Sequence, residues 1–178
     1  MRAVEIEPLL PEIFRRTLRD GGPTAALLNV MEELHGPADE LLGRLDSFFD
    51  AYRTDDDFVP FLAWWVDLGR YLVEAPDRRS RHLPFPSGTG RLRELVRAAS
   101  YLSQWRGTAK GLITFLETAT GITGYVVVEN EDAAGEPRPF HILVRAPAEA
   151  ERYRVLIDRI IELEKPAYVT HQRTFVAA

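Results

Sequence analysis

The sequence predicts an α+β protein in which a helical bundle region, residues 1–121, precedes a small ββαβ module, residues 122–178. Three observations carry that expectation. Through the first two-thirds of the chain, apolar residues recur at the i, i+3, i+4, i+7 spacing of one helical face. The period then switches to the β-branched run Tyr125-Val126-Val127-Val128 and the alternating Phe140-His141-Ile142-Leu143-Val144. With 178 residues and no cysteine, the chain is long enough to bury a core without disulfides or thiolate-bound metals.

The elements follow in order. After Gly21-Gly22-Pro23, the residues Leu27, Val30, Met31 and Leu34 share one face of a helix. That helix either stops near Gly36-Pro37 or continues through a kink at Pro37. Leu41, Leu42, Leu45, Phe48, Phe49 and Tyr52 repeat the spacing and extend the helical pattern. Asp55-Asp56-Asp57 suits the start of a third helix over Phe58 to Val66, because carboxylates favour a helix N-terminus and Pro60 is tolerable in a first turn. From Ala75 to Gly90, Pro, Ser, Gly and Arg break every period, which predicts the longest loop. Leu92, Leu95, Val96, Ala99 and Leu102 then mark a helix running to Trp105, with Gly107 as a stop. Thr108 caps the next helix, which carries Leu112, Ile113, Leu116 and Ala119 and ends at Gly121. In the module, Glu129 to Arg138 joins the first two strands. Tyr153, Leu156, Ile157, Ile160 and Ile161 mark a helix that stops by Pro166, and Tyr168 to Val176 is the third strand.

Charge and motifs narrow the function classes. A net charge of −5, from 22 Lys+Arg against 27 Asp+Glu, disfavours a generic nucleic-acid binder, which needs a basic face to neutralise phosphates. The nearly apolar stretch Phe58 to Val66 is far shorter than the ~20 residues of a spanning helix, and the acidic N-terminus does not read as a signal peptide. A cytoplasmic protein with no membrane partner is expected. No G-x-S-x-G, H-E-x-x-H, EF-hand or phosphate-loop motif is present. His35, His82, His141 and His171 include no i, i+4 pair on an expected helix, and although His141 and His171 can face each other on neighbouring strands, a hydrogen-bonded or surface role explains them more simply than a metal. No catalytic residue, metal or cofactor is expected.

Four features remain as candidate contacts. Arg106-Gly107-Thr108 reads as a structural corner between two helices, while the alternative is a small anion-binding adaptor or enzyme centred on the Gly107 to Gly111 turn and the basic loop. Arg78, Arg79, Arg81, His82, Arg91, Arg93 and Arg97 are the one basic concentration, either a solvated face or a surface for an acidic partner or a nucleic acid. Trp64 and Trp65 are about 100° apart on one helix, so at least one is expected in the core and the other can meet a partner. The strands carry apolar residues at both parities, so the second face of the sheet needs cover from the chain's own helical region or from a neighbouring subunit. Tyr125, Val127 and Tyr168 are the contact candidates there.

Leu9-Leu10-Pro11-Glu12-Ile13-Phe14-Arg15-Arg16 resembles the opening "LPEIYR" segment of phage tail protein I and of related tail-domain proteins of contractile injection systems. Asp57-Phe58-Val59-Pro60-Phe61-Leu62-Ala63-Trp64-Trp65-Val66-Asp67-Leu68 is similar to that family's "FLPWLAxWVGL" block. Tyr101-Leu102-Ser103-Gln104-Trp105-Arg106-Gly107-Thr108-Ala109-Lys110-Gly111-Leu112 is similar to "YRxRGTPxGL", and Lys165-Pro166-Ala167 to the closing "KPAHT". Asp67 stands where the family often has Gly, Ala109 where Pro is common, and Tyr168 in place of the His after KPA. The resemblance implies a non-enzymatic structural protein of the baseplate wedge of a phage-like contractile tail or injection system, joining neighbouring wedge subunits around the central hub. The implied partners are other wedge subunits, with hub, spike and sheath proteins beyond them, in a hetero-oligomeric particle assembled in the cytoplasm.

Overall fold

The computed structural model describes residues 6–72 and 85–176. The fold is α+β, with helices first and a three-stranded sheet at the C-terminal end. The chain divides into two compact units, Met1–Phe49 and Asp50–Ala178. The boundary expected at residues 121/122 therefore lies inside the second unit.

The first unit is helical. After a short α1 (Glu12–Arg15), α2 (Pro23–Gly43) begins with Pro23 in its first turn, where a missing N–H removes nothing. Of the two readings at Gly36-Pro37, the continuous helix is the one found, since α2 passes through Pro37 without stopping. The chain breaks instead at Arg44 (φ −122°, ψ 21°), and the helix expected to reach Tyr52 is reduced to α3 (Leu45–Phe48). On α2 only Leu28 is buried, whereas Leu27, Val30 and Leu34 are 59%, 51% and 72% exposed. The apolar stripe of the sequence points outward.

The second unit holds the main core. A 3₁₀ turn over Asp56–Phe58 leads into α4 (Val59–Trp65), with Pro60 in its first turn. Of the basic stretch, Arg78, Arg79, Arg81 and His82 lie outside the described residues. The expected loop ends earlier than Gly90: Gly88, at φ +94°, turns the chain and α5 (Thr89–Gln104) starts directly after it. Helix α6 (Ala109–Thr120) ends at Gly121 in the left-handed region, as glycine at that position allows. Strands β1 (Val126–Glu131) and β2 (Pro137–Pro147) form an antiparallel hairpin longer than the expected strands. Helix α7 (Arg154–Glu164) then returns the chain to β3 (Thr170–Val176), parallel to the central β2.

One core runs through all of these. Val59 and Ala63 of α4, Leu92, Leu95 and Leu102 of α5, Phe115 and Leu116 of α6, Val144 and Ala146 of β2, and Leu156, Ile157, Ile160 and Ile161 of α7 belong to a single buried cluster. Helices α4, α5 and α6 and the ββαβ module thus share their apolar interior. Each fully buried side chain of this kind contributes about 1.5–3 kcal/mol relative to exposure.

Candidate functional site

The corner between α5 and α6 is where three of the family-like blocks converge. Gly107, at φ +76°, turns the chain, and the Thr108 hydroxyl accepts the Gly111 N–H at 3.0 Å, capping α6. Gly111 is required by contact. A Cβ there would fall onto the carbonyl of Trp105, so only glycine lets the first turn of α6 approach the end of α5. Arg106 then reaches across to Glu164, at the end of α7, with Nε on Oε2 at 3.1 Å and an NH2 on Oε1 at 3.1 Å.

Glu164 is the buried centre of this junction, its side chain only 5% exposed. Besides Arg106 it accepts Arg70 at 3.1 Å and the Tyr71 hydroxyl. A buried carboxylate is tolerable only when compensated, and two guanidinium groups supply the charge. Burial, and next the bond to Glu164, push the Tyr71 phenol well above its ordinary range, so it stays protonated and donates. Asp67 adds a carboxylate on the outer side, 3.1 Å from Arg70 and 3.2 Å from Arg106. The sequence analysis missed Tyr71 and Glu164. Their partners are distant along the chain, Arg106 and Glu164 being 58 residues apart, and no local pattern announces such a pair.

The Gly107 to Gly111 turn gives an anion little to hold. Thr108 is engaged in the cap, and the crevice of about 30 Å³ beside the turn is lined by Glu129 and Glu164 as well as Lys165. Lys110 points to Trp105, its Nζ 4.4 Å from the ring centroid, and to Tyr101 at 5.9 Å.

The basic residues of α5 are occupied within the chain. Arg93 donates to the carbonyls of Ala51 and Thr54 and to Asp56, the last two at 2.8 and 2.6 Å. Arg97 lies over the Tyr52 ring at 5.4 Å and donates to its hydroxyl at 3.3 Å. The Arg91 guanidinium rests on Gly121, at the C-terminal end of α6, where a cation is favoured. These three tie the second unit together. Asp56, part of the acidic run, is a partner of that network. Among the described residues no group of three metal-ligating side chains occurs.

Both tryptophans lie outside the core, contrary to the expectation that at least one is buried: Trp64 is 61% and Trp65 67% exposed. The reason is geometric. Helix α4 turns Val59, Leu62 and Ala63 inward at i, i+3, i+4, which leaves Phe61, Trp64 and Trp65 on the opposite arc. Phe58, Phe61 and Trp65 form a chain of ring contacts at 4.8 and 5.3 Å. The Trp64 ring lies against the backbone of Gly69, so closely that a Cβ there would overlap it. These are large, positioned aromatic surfaces, the type that dominates protein–protein contacts.

The sheet corrects one further candidate. Tyr125 is 4% exposed with its hydroxyl 3.0 Å from Thr120, so it is not available to a partner, while Val127 packs half-buried against the core. Tyr168 is 71% exposed and stands edge-on to Phe140 at 5.7 Å. His141 and His171 do not face each other. In the β2–β3 register His141 pairs with Thr170 and His171 with Ile142, which puts the imidazoles on opposite faces. No helix among the described residues is long and apolar enough to cross a membrane. No protein-family model matches the chain, and no curated protein matches it.

Proposed function

We propose that this protein is a non-enzymatic structural subunit of the baseplate wedge of a phage-like contractile tail or contractile injection system, joining neighbouring wedge subunits around the hub. The observation that carries the reading is the exposure of Trp64 and Trp65, at 61% and 67%, within one of the resembled blocks. Two costly apolar side chains held outside the core, beside Phe61 on the same outward arc, make physical sense as an anchor for another chain. The Arg106–Glu164 junction supports the same reading, because Arg106 of one resembled block binds both Asp67 of the tryptophan block and Glu164, next to the closing Lys165-Pro166-Ala167. Wedge proteins, with hub, spike and sheath proteins beyond them, are the proposed partners, and assembly takes place in the cytoplasm.

The test is assembly. In cells that make the protein, a tagged full-length chain should co-sediment with sheath and tube proteins in tail-like particles, and the tag should map to the baseplate by electron microscopy. Genes for sheath, tube and spike should lie beside its own. A chain that stays monodisperse, never enters a particle and binds a small anion through the Gly107 to Gly111 turn would overturn the reading.

A further inference from the structure

The part of the sheet's second face at His141 and Leu143 is buried under the turn of its own hairpin, and the way that turn is held makes the cover sensitive to acid. Leu143 is 1% exposed and His141 2%, yet Leu143 stands apart from the main buried cluster. Something else must cover it. The covering piece follows from one hydrogen bond. The Ala133 N–H, in the β1–β2 turn, donates to the Gln172 side chain at 3.3 Å. Gln172 pairs in register with Leu143, and β2 lies between β1 and β3. A turn that starts from β1 and reaches a β3 side chain on this face has to fold across β2, over Leu143 and His141.

The hinge is visible in the backbone. Pairing slips between Glu129 and Glu131, and Asn130 (φ 60°) and Phe140 (φ 55°) both sit in the left-handed region, which L residues other than Asn and Asp rarely adopt. The Asn130 side chain accepts the Phe140 N–H at 3.1 Å, locking the two strained residues together. Beyond the hinge, the Asp132 carboxylate accepts the N–H groups of Ala134 and Glu136 at 2.8 and 3.0 Å, so the flap has internal order of its own.

His141 lies beneath this flap. Its Nδ1 is 2.8 Å from the Thr170 hydroxyl, and that hydroxyl donates to the Phe140 carbonyl at 3.3 Å. Thr170 therefore accepts from Nδ1–H, and Nε2 is left as a buried atom with no hydrogen-bond partner. A neutral imidazole fits this arrangement. A protonated one would bury a charged N–H with nothing to receive it. We propose that the Glu131–Pro137 turn is an acid-released flap, closed over His141 and Leu143 on the second face of the sheet while His141 is neutral and opened when His141 binds a proton.

The charges around His141 agree in sign. Burial of the ring and, next, the Arg138 guanidinium hold its pKa below the ordinary 6.5, with His171 acting the same way and Asp132 opposing them. The neighbouring Glu131 and Arg145 pair with each other at 3.8 Å. Because the closed-state pKa is depressed, closure is fully favoured above the open-state value near 6.5 and weakens as pH falls below it.

The chain contains no cysteine, which makes the test direct. In the full chain, a single Leu143→Cys thiol reports flap opening, and a Val176→Cys thiol on the same face, 48% exposed as valine, corrects for the pH dependence of the reagent. With an acid-competent disulfide reagent, the ratio of the two rates should rise between pH 7.5 and 5.5, by at most about tenfold for an open-state value near 6.5, and should stay flat with His141→Gln added. A flat ratio in the His141 protein, or an equal rise with His141→Gln, overturns the proposal. If Leu143→Cys unfolds the chain, the imidazole NMR titration of the unmodified protein decides. His141 should titrate below 6.5 together with the amides of 132–136, and a value at or above 6.5 refutes the flap.

Discussion

Asp67 and Ala109 stand where the resembled tail-protein pattern often has Gly and Pro, and the backbone gives each a reason. Asp67 sits at φ 62°, a conformation that costs Gly nothing and that Asp tolerates better than most residues. Its carboxylate also bridges Arg70 and Arg106, so this chain exchanges conformational ease for an ion pair at the junction. Ala109 is the first residue of α6, and Thr108 before it is extended (φ −109°, ψ 150°), which is where proline fits without losing a hydrogen bond. Ala109→Pro should therefore stabilise the chain by about 0.4–1 kcal/mol, whereas Thr108→Ala, losing the cap, should cost about 0.5–2 kcal/mol. Chemical denaturation of both variants checks the pair, and equal shifts in the same direction would contradict the cap geometry. The capped corner was readable in the sequence because Thr108, Gly111 and Gly121 act locally. Glu164 was not, because its worth lies in Tyr71, Arg70 and Arg106, brought to it only by folding.

Among the elements, those with a strong period were found and those set by backbone detail were not. The stripe of Leu156, Ile157, Ile160 and Ile161 marked α7 because all four are buried on one face. The hairpin was shortened in the sequence reading because Glu129, Asn130 and Glu131 look like loop residues, and nothing in residue type encodes a register slip. Helix α4 shows the limit of composition from the other side. Its apolar run reads as burying at least one of the two tryptophans, but a seven-residue helix on the surface of a core offers only one arc to it. Replacing both Trp64 and Trp65 with alanine should change stability by no more than about 1 kcal/mol while abolishing entry into the assembly. Thermal melts and particle sedimentation separate the two effects, and a collapse of stability would assign these residues to the fold instead.

At the scale of the molecule, the division after Phe49 has a folding consequence. The core of the second unit draws on α4, α5, α6, α7 and one face of the sheet, so a fragment covering Asp50–Ala178 should unfold in one cooperative transition. A chain ending at Gly121 keeps only the elements up to α6. It would lose Leu156, Ile157, Ile160 and Ile161 from the core and leave Arg70, Arg106 and Tyr71 without their carboxylate. Circular dichroism should find it largely unfolded, and a cooperative melt of that fragment would show that the sheet is dispensable.

The placement of the indoles also decides what light can report. The chain has three tryptophans, and Trp64, Trp65 and Trp105 are 61%, 67% and 38% exposed, while the buried aromatic positions are filled by Tyr71, Phe85, Phe115 and Tyr125. Intrinsic emission from the isolated chain should therefore be red-shifted before any denaturant is added, and unfolding should change its colour little. A blue shift marks the arrival of another molecule at an indole, so the fluorophores of this protein register company more faithfully than they register collapse.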